Sequence, residues 1–158
     1  SRHVLIANNQ FSRNDLWAIG LMPGTGSRAA APAADGAPAR PPNIDGGSVI
    51  AHNIISEFGY GDSHWIWDPE SYTCAPLLFD HGQRPDNPPL SDVLVVGNIV
   101  YDSGKDGILV EGTPRIEPPR YRYTVFVSQE PTGPKSLHFS QNILHPGTRG
   151  VSNVELKP

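Results

Sequence analysis

The sequence predicts an all-β fold, a solenoid of about four coils, and three observations carry that expectation. An Asn-centred unit recurs four times at near-constant spacing, and apolar residues hold the same two places around each Asn. The 17 Pro and 16 Gly together exceed a fifth of the 158 residues, and no stretch shows an amphipathic pattern of helix length, so short strands and many turns are favoured over helices.

Aligned on Asn, the units are residues 4–11 around Asn9, 48–55 around Asn53, 93–100 around Asn98 and 137–144 around Asn142, spaced by 44, 45 and 44. Three places before the Asn stand Ile6, Ile50, Val95 and Phe139, and two places after it stand Phe11, Ile55, Val100 and Leu144. In a chain that is 37% apolar, eight apolar hits in eight have a chance probability of about one in a few thousand. Alternation at period two turns one face of each strand inward. Asn tolerates the left-handed conformation that a sharp bend between strands requires, so the expectation is that each Asn sits in that conformation at a bend. Coils stacked about 4.8 Å apart would then join the four amides into a ladder.

The elements follow in order. The first coil spans residues 4–22, with a strand at 16–21. Residues 23–47, rich in Pro, Gly, Ala and Arg with almost nothing to bury, read as a poorly ordered loop. The second coil starts at Val49, passes through the polar and aromatic run 56–70 and enters a strand at 72–79. Residues 80–89 form a rigid polar loop. The third coil contains strands near 93–100 and 108–110, a basic loop at 115–122 and a strand at 121–128, and the fourth spans 137–156. The long insertions are expected on one flank. Solenoid ends expose unpaired strand edges, and Val4 enters a strand at once. The expectation is therefore a fragment of a longer helix or one chain of an assembly, with further coils of the same protein or a homo-oligomer as partner.

Composition sets outer bounds. The length suits a single domain over residues 1–158. A net charge of −4 and a pI near 5.8 argue against nucleic acid or an anionic membrane as the main partner. The lone Cys74 excludes an internal disulfide and reads as buried packing, and no apolar run reaches the roughly 18 residues of a bilayer span. Zinc-type Cys and His spacing, a Gly-rich phosphate loop and a Ser nucleophile elbow are all missing from the sequence.

The polar residues after each ladder Asn offer the first set of candidates. Counted from that Asn, Glu57 and Asp102 occupy one place and Lys105 and Arg149 another. Carboxylates one coil apart would lie about 5 Å from each other, near the separation of a retaining glycosidase pair and suited to a shared Ca²⁺. A second set lies at 60–84. Tyr60, Trp65 and Trp67 can stack on a sugar ring, His64 offers acid or base chemistry, and His81 and Arg84 offer hydrogen bonds to substrate. The alternative for the charged residues is that of solvated turn positions.

The Asn-centred coil pattern resembles the right-handed parallel β-helix proteins of the pectate-lyase-like superfamily, over most of the chain outside the long loops. That resemblance implies a right-handed parallel β-helix, a secreted or periplasmic location, and a polysaccharide as partner. In the polysaccharide lyases of this fold, Ca²⁺ neutralises a uronate carboxylate while a basic side chain abstracts the adjacent proton. Carried over, Glu57, Asp62, Asp102 and Asp106 become metal ligands, and Lys105 or Arg149 the base, with His64 and Asp102 as further catalytic candidates. The run Trp67-Asp68-Pro69-Glu70 resembles the Asp-Pro-His motif of alginate epimerases with Glu70 in place of the His. Asp80-His81-Gly82 lacks the companion elements of a polygalacturonase. The expected function is a carbohydrate-active protein binding an acidic polysaccharide, as a lyase or hydrolase relative. The competing class is a non-catalytic solenoid segment used for adhesion or spacing, as in adhesins and tailspikes.

Overall fold

The computed structural model describes residues 2–24, 30–41, 46–60, 74–82, 84–85, 87–102, 121–130 and 133–158. Among them lie twelve strands and no helix. The first coil holds β1 (Leu5–Ala7), β2 (Gln10–Ser12) and β3 (Trp17–Leu21), and the second holds β4 (Val49–Ala51), β5 (Ile54–Ser56) and β6 (Ala75–Phe79). The third holds β7 (Val93–Val96), β8 (Ile99–Tyr101) and β9 (Tyr123–Val127), and the fourth β10 (Leu137–Ser140), β11 (Ile143–Leu144) and β12 (Gly150–Ser152). They form three four-stranded sheets, ordered β1-β4-β7-β10, β2-β5-β8-β11 and β3-β6-β9-β12, and every pairing is parallel. The chain visits the three sheets in turn four times, which is compatible with a parallel β-helix.

Register follows the apolar columns. Ile6, Ile50, Val95 and Phe139 are mutual partners along the first sheet, and Phe11, Ile55, Val100 and Leu144 along the second. Both columns point inward, where they meet Ile19, Leu77 and Val125 of the third sheet. Phe79 and Phe139 close the centre edge to face, ring centroids 5.8 Å apart.

The ladder forms as expected. Asn9 Nδ2 donates to Asn53 Oδ1 at 3.0 Å, Asn53 Nδ2 to Asn98 Oδ1 at 2.9 Å and Asn98 Nδ2 to Asn142 Oδ1 at 3.0 Å. The backbone N–H groups of Asn9, Asn53 and Asn98 donate to the same three oxygens. The reason given for Asn needs correction. The left-handed residue is the one before it, Asn8, His52, Gly97 or Gln141, with φ between 54° and 63°. Asn occupies the next position because its side chain can donate and accept in the stack direction.

The two-residue bend between first and second sheets is identical in length in all four coils. Long connections occur elsewhere. Residues 57–74 and 102–122 join the second sheet to the third, and 22–48 and 80–92 join the third back to the first. Insertions thus leave from both corners bordering the third sheet, not from one flank. Within 23–47, where the sequence reads as unstructured, residues 30–41 carry a small antiparallel ladder, Ala31 with Arg40 and Ala34 with Ala37, turned at Gly36 with φ +74°.

The two ends of the stack differ. On the fourth coil, Phe139 N–H donates to Lys157 O at 2.7 Å, Asn153 exchanges two bonds with Val127, and Val154 and Leu156 pack on the core. At the first coil Asn9 and Leu5 are exposed, Leu5 by 68%.

Candidate functional site

The corner between the second and third sheets collects most of the describable candidates. Ser12, Ser56 and Tyr101 are partners at the end of β2, β5 and β8. The next residues, Arg13, Glu57 and Asp102, therefore follow one another up the stack. Arg13 and Glu57 turn there with φ of 59° and 53°. This register matches the expectation that Glu57 and Asp102 lie level in adjacent coils.

Their surroundings were not legible. The Tyr60 hydroxyl donates to Asp102 Oδ2, and the Tyr60 ring is only 9% exposed. A buried ring cannot lie against a sugar, so Tyr60 is a packing residue that supports Asp102. Tyr121, 4% exposed, packs edge to face on Phe58 at 5.4 Å. Burial first, then the nearby Asp102 carboxylate and the Cys74 sulfur, pushes its hydroxyl up to about 12. Cys74 is buried as expected, and its Sγ donates to Asp15 O at 2.9 Å.

Trp17 at the start of β3 is an exposed aromatic at this corner, and so is Tyr101, adjacent to Asp102 and 43% accessible. Alternation in β8 could have found it, since Val100 faces inward and Tyr101 must then face outward.

The second correction concerns Arg149. Counting from the ladder Asn places it level with Lys105, but its backbone N–H donates to Arg122 O at 2.9 Å, and Gly150 pairs with Tyr123. Its neighbour one coil away is Arg122, from the basic loop that sequence reading left without a role. Two guanidinium-bearing residues thus stand in register on adjacent coils, just before β9 and β12.

Lys105, Asp106, His64, Asp62, Trp65 and Trp67 lie outside the described residues. His81 and Arg84 belong to a different corner, after β6, so the structure does not bring them beside Asp102. For Ca²⁺, which takes six to eight oxygen ligands, the described residues supply Glu57 and Asp102, and one Asp102 oxygen is already bonded to Tyr60. Among the described residues no three His, Cys, Asp or Glu side chains come together to hold a metal. Asp62 and Asp106, the other two Ca²⁺ candidates, lie outside the described residues.

Cavities among the described residues lie elsewhere, one of about 330 Å³ lined by Val4, Leu21, Ser48 and Leu90 and one of about 170 Å³ beside His3 and Asp92. No family model matches the chain, and no curated protein or solved structure matches it.

Proposed function

We propose that the chain is a carbohydrate-binding right-handed parallel β-helix, similar in kind to the pectate-lyase-like superfamily, that holds an acidic polysaccharide along the corner between its second and third sheets. The register of Arg122 and Arg149 carries this reading. Two guanidinium-bearing residues in register on adjacent coils can offer charge-assisted, bidentate hydrogen bonds to the carboxylates of one anionic ligand. Tyr101 adds an exposed ring for the apolar face of a sugar. A linear polymer suits residues set in register along successive coils, and a secreted or periplasmic setting supplies such polymers.

Catalysis, as lyase or hydrolase, would fall to Lys105 or Arg149 with Asp102, and Ca²⁺ to Glu57 and Asp102 joined by Asp62 and Asp106. One observation favours the second reading, a non-catalytic segment for adhesion or spacing: Asp102 already serves an internal bond to Tyr60.

The test is binding of polygalacturonate against neutral galactan, followed by assay for unsaturated uronate product with and without Ca²⁺. Arg149→Gln removes one charge-assisted bond worth about 1.5–3 kcal/mol and is expected to weaken polygalacturonate binding by about tenfold or more. Equal affinity for the neutral and acidic polymers, or no loss in Arg149→Gln, refutes the proposal. Binding without product supports the non-catalytic form.

A further inference from the structure

The first coil is left with unused hydrogen-bonding groups of a definite kind. In each later coil the ladder Asn is tied to the coil before it by three bonds. Its Oδ1 accepts the backbone N–H and the Nδ2 of the preceding Asn. Its own Nδ2 reaches back to the carbonyl three places before that Asn: Asn53 to Ile6 O at 2.9 Å, Asn98 to Ile50 O at 2.9 Å and Asn142 to Val95 O at 2.8 Å. Among the described residues Asn9 makes none of the three. Its Oδ1 accepts nothing, and its Nδ2 turns to Ala7 O in its own coil and to Asn53 Oδ1 in the next.

The strand edges beside Asn9 are open in the same direction. Asn8 N–H donates to Ala51 O and Arg13 N–H to Ser56 O, while Val4 O and Asn9 O accept from Val49 and Ile54. Alternate residues face the partner in a parallel pair, so Leu5, Ala7, Gln10 and Ser12 turn their backbone groups away from the second coil. The apolar interior is open as well. Ile6 and Phe11 are only partly buried, whereas Ile50 and Ile55, next in the same columns, are fully buried.

Complementarity decides what can cover this end. A second copy turned head to head would set Asn9 Oδ1 against Asn9 Oδ1, acceptor against acceptor, with the hydrogens of each amide already engaged. A second copy stacked head to tail would have to present its fourth coil, where Lys157 O takes Phe139 N–H and Val154 and Leu156 pack on the core. The group that fits offers two donors to Asn9 Oδ1 at one point. It also offers one carbonyl to Asn9 Nδ2, shared with Ala7 O as Asn98 Nδ2 is shared between Ile50 O and Val96 O.

We propose that the open face of the first coil is a protein-interaction surface whose partner is a strand–bend–strand peptide segment with an Asn at its bend, and not a second copy of this chain. The segment adds in parallel to β1 and β2. Main-chain bonds to Leu5, Ala7, Gln10 and Ser12 supply affinity, as in other strand additions to a sheet edge. The bend Asn sets register, because a slip of one residue would turn the apolar side of the segment away from Ile6 and Phe11. This surface uses neither Arg122 nor Arg149, so it stands independently of glycan binding.

The test is amide hydrogen exchange and nitrogen-15 spectra of the full chain with a peptide that copies residues 48–56, extended by two Lys for solubility. Alone, the chain is expected to sediment as a monomer, with the Leu5, Ala7, Gln10 and Ser12 amides exchanging freely. Peptide at about millimolar concentration slows those four amides about tenfold or more and shifts the Asn9 side-chain signals. Asn53→Leu in the peptide removes one donor to Asn9 Oδ1 and weakens binding about fivefold. Asn9→Leu in the chain removes the acceptor itself and weakens binding about tenfold or more. Arg149→Gln leaves binding unchanged. Three results overturn the proposal: self-association that protects these amides without peptide, exchange that the peptide does not slow, or equal affinity for the Asn and Leu peptides. Loss of binding in Arg149→Gln overturns it too, by placing the peptide at the other corner.

Discussion

Replacing Asn98 by Leu tests the ladder at its centre. Asn98 is fully buried, and its side chain makes five hydrogen bonds. Its Oδ1 accepts the backbone N–H and the Nδ2 of Asn53 at 3.0 and 2.9 Å, and its Nδ2 donates to Ile50 O, Val96 O and Asn142 Oδ1. Leu removes both ends, and the fully buried Asn53 loses the acceptor for its backbone N–H. Its own Nδ2 keeps only Ile6 O. Each buried group left unpaired costs about 1–3 kcal/mol, and at least two are stranded, so the loss is about 3–5 kcal/mol. That is a large part of the 5–15 kcal/mol typical of a domain. Asn9→Leu is the control. Asn9 is exposed, its Oδ1 receives no bond from the ladder, and its backbone N–H still reaches Asn53 Oδ1, so the cost stays below about 1 kcal/mol. Urea denaturation of both variants, read as midpoint and slope, measures the difference. Equal losses at Asn9 and Asn98 would refute the account of the ladder as a directional relay buried at its middle.

Two further perturbations address the bends and the tyrosine cluster. Gly97→Ala asks a side chain to accept φ +63°, at about 1–2 kcal/mol, and places a Cβ 2.5 Å from His52 Nδ1. In the His52→Ala background the clash component vanishes and only the conformational cost remains, so additive losses in a double-mutant cycle would contradict the contact. Tyr121, raised to about 12 in the folded protein from about 10 unfolded, holds its proton more tightly when folded. Its contribution is whole below pH 10 and is lost as pH rises through 12, on the order of 2–3 kcal/mol in all. Asp102→Asn removes the second cause of the shift, so both the tyrosinate titration and the alkaline fall in urea midpoint move to lower pH.

What could be read from sequence is what the coil repeats without interruption. The columns through Ile6 and Phe11 were legible because each unit runs eight residues with no insertion, so counting from the Asn gives register directly. The same counting fails at Arg149, since residues 102–122 intervene between β8 and β9 and cancel any common numbering. Arg122 becomes its neighbour through hydrogen bonding alone. The left-handed position was displaced by one for a related reason. Turn preference favours Asn in that conformation, yet in this bend the left-handed column is Asn8, His52, Gly97 and Gln141, and only Asn8 and Gly97 advertise it.

The distribution of loops follows from the ladder. At the bend between the first and second sheets, each interior Asn uses its backbone N–H, both amide hydrogens and its carbonyl oxygen to tie three successive coils. One inserted residue there would leave a buried N–H and a buried amide without partners in two coils at once, which is the costliest outcome a polar group can meet inside a protein. Among the described residues no such side-chain column crosses either border of the third sheet, where a connection can lengthen and still return the chain to its strand. Loop closure there costs only about 0.6 kcal/mol for each doubling of length. Exposed or partly exposed polar and aromatic side chains therefore accumulate at the two borders of the third sheet, Tyr101 and Arg149 on one side and His81 on the other.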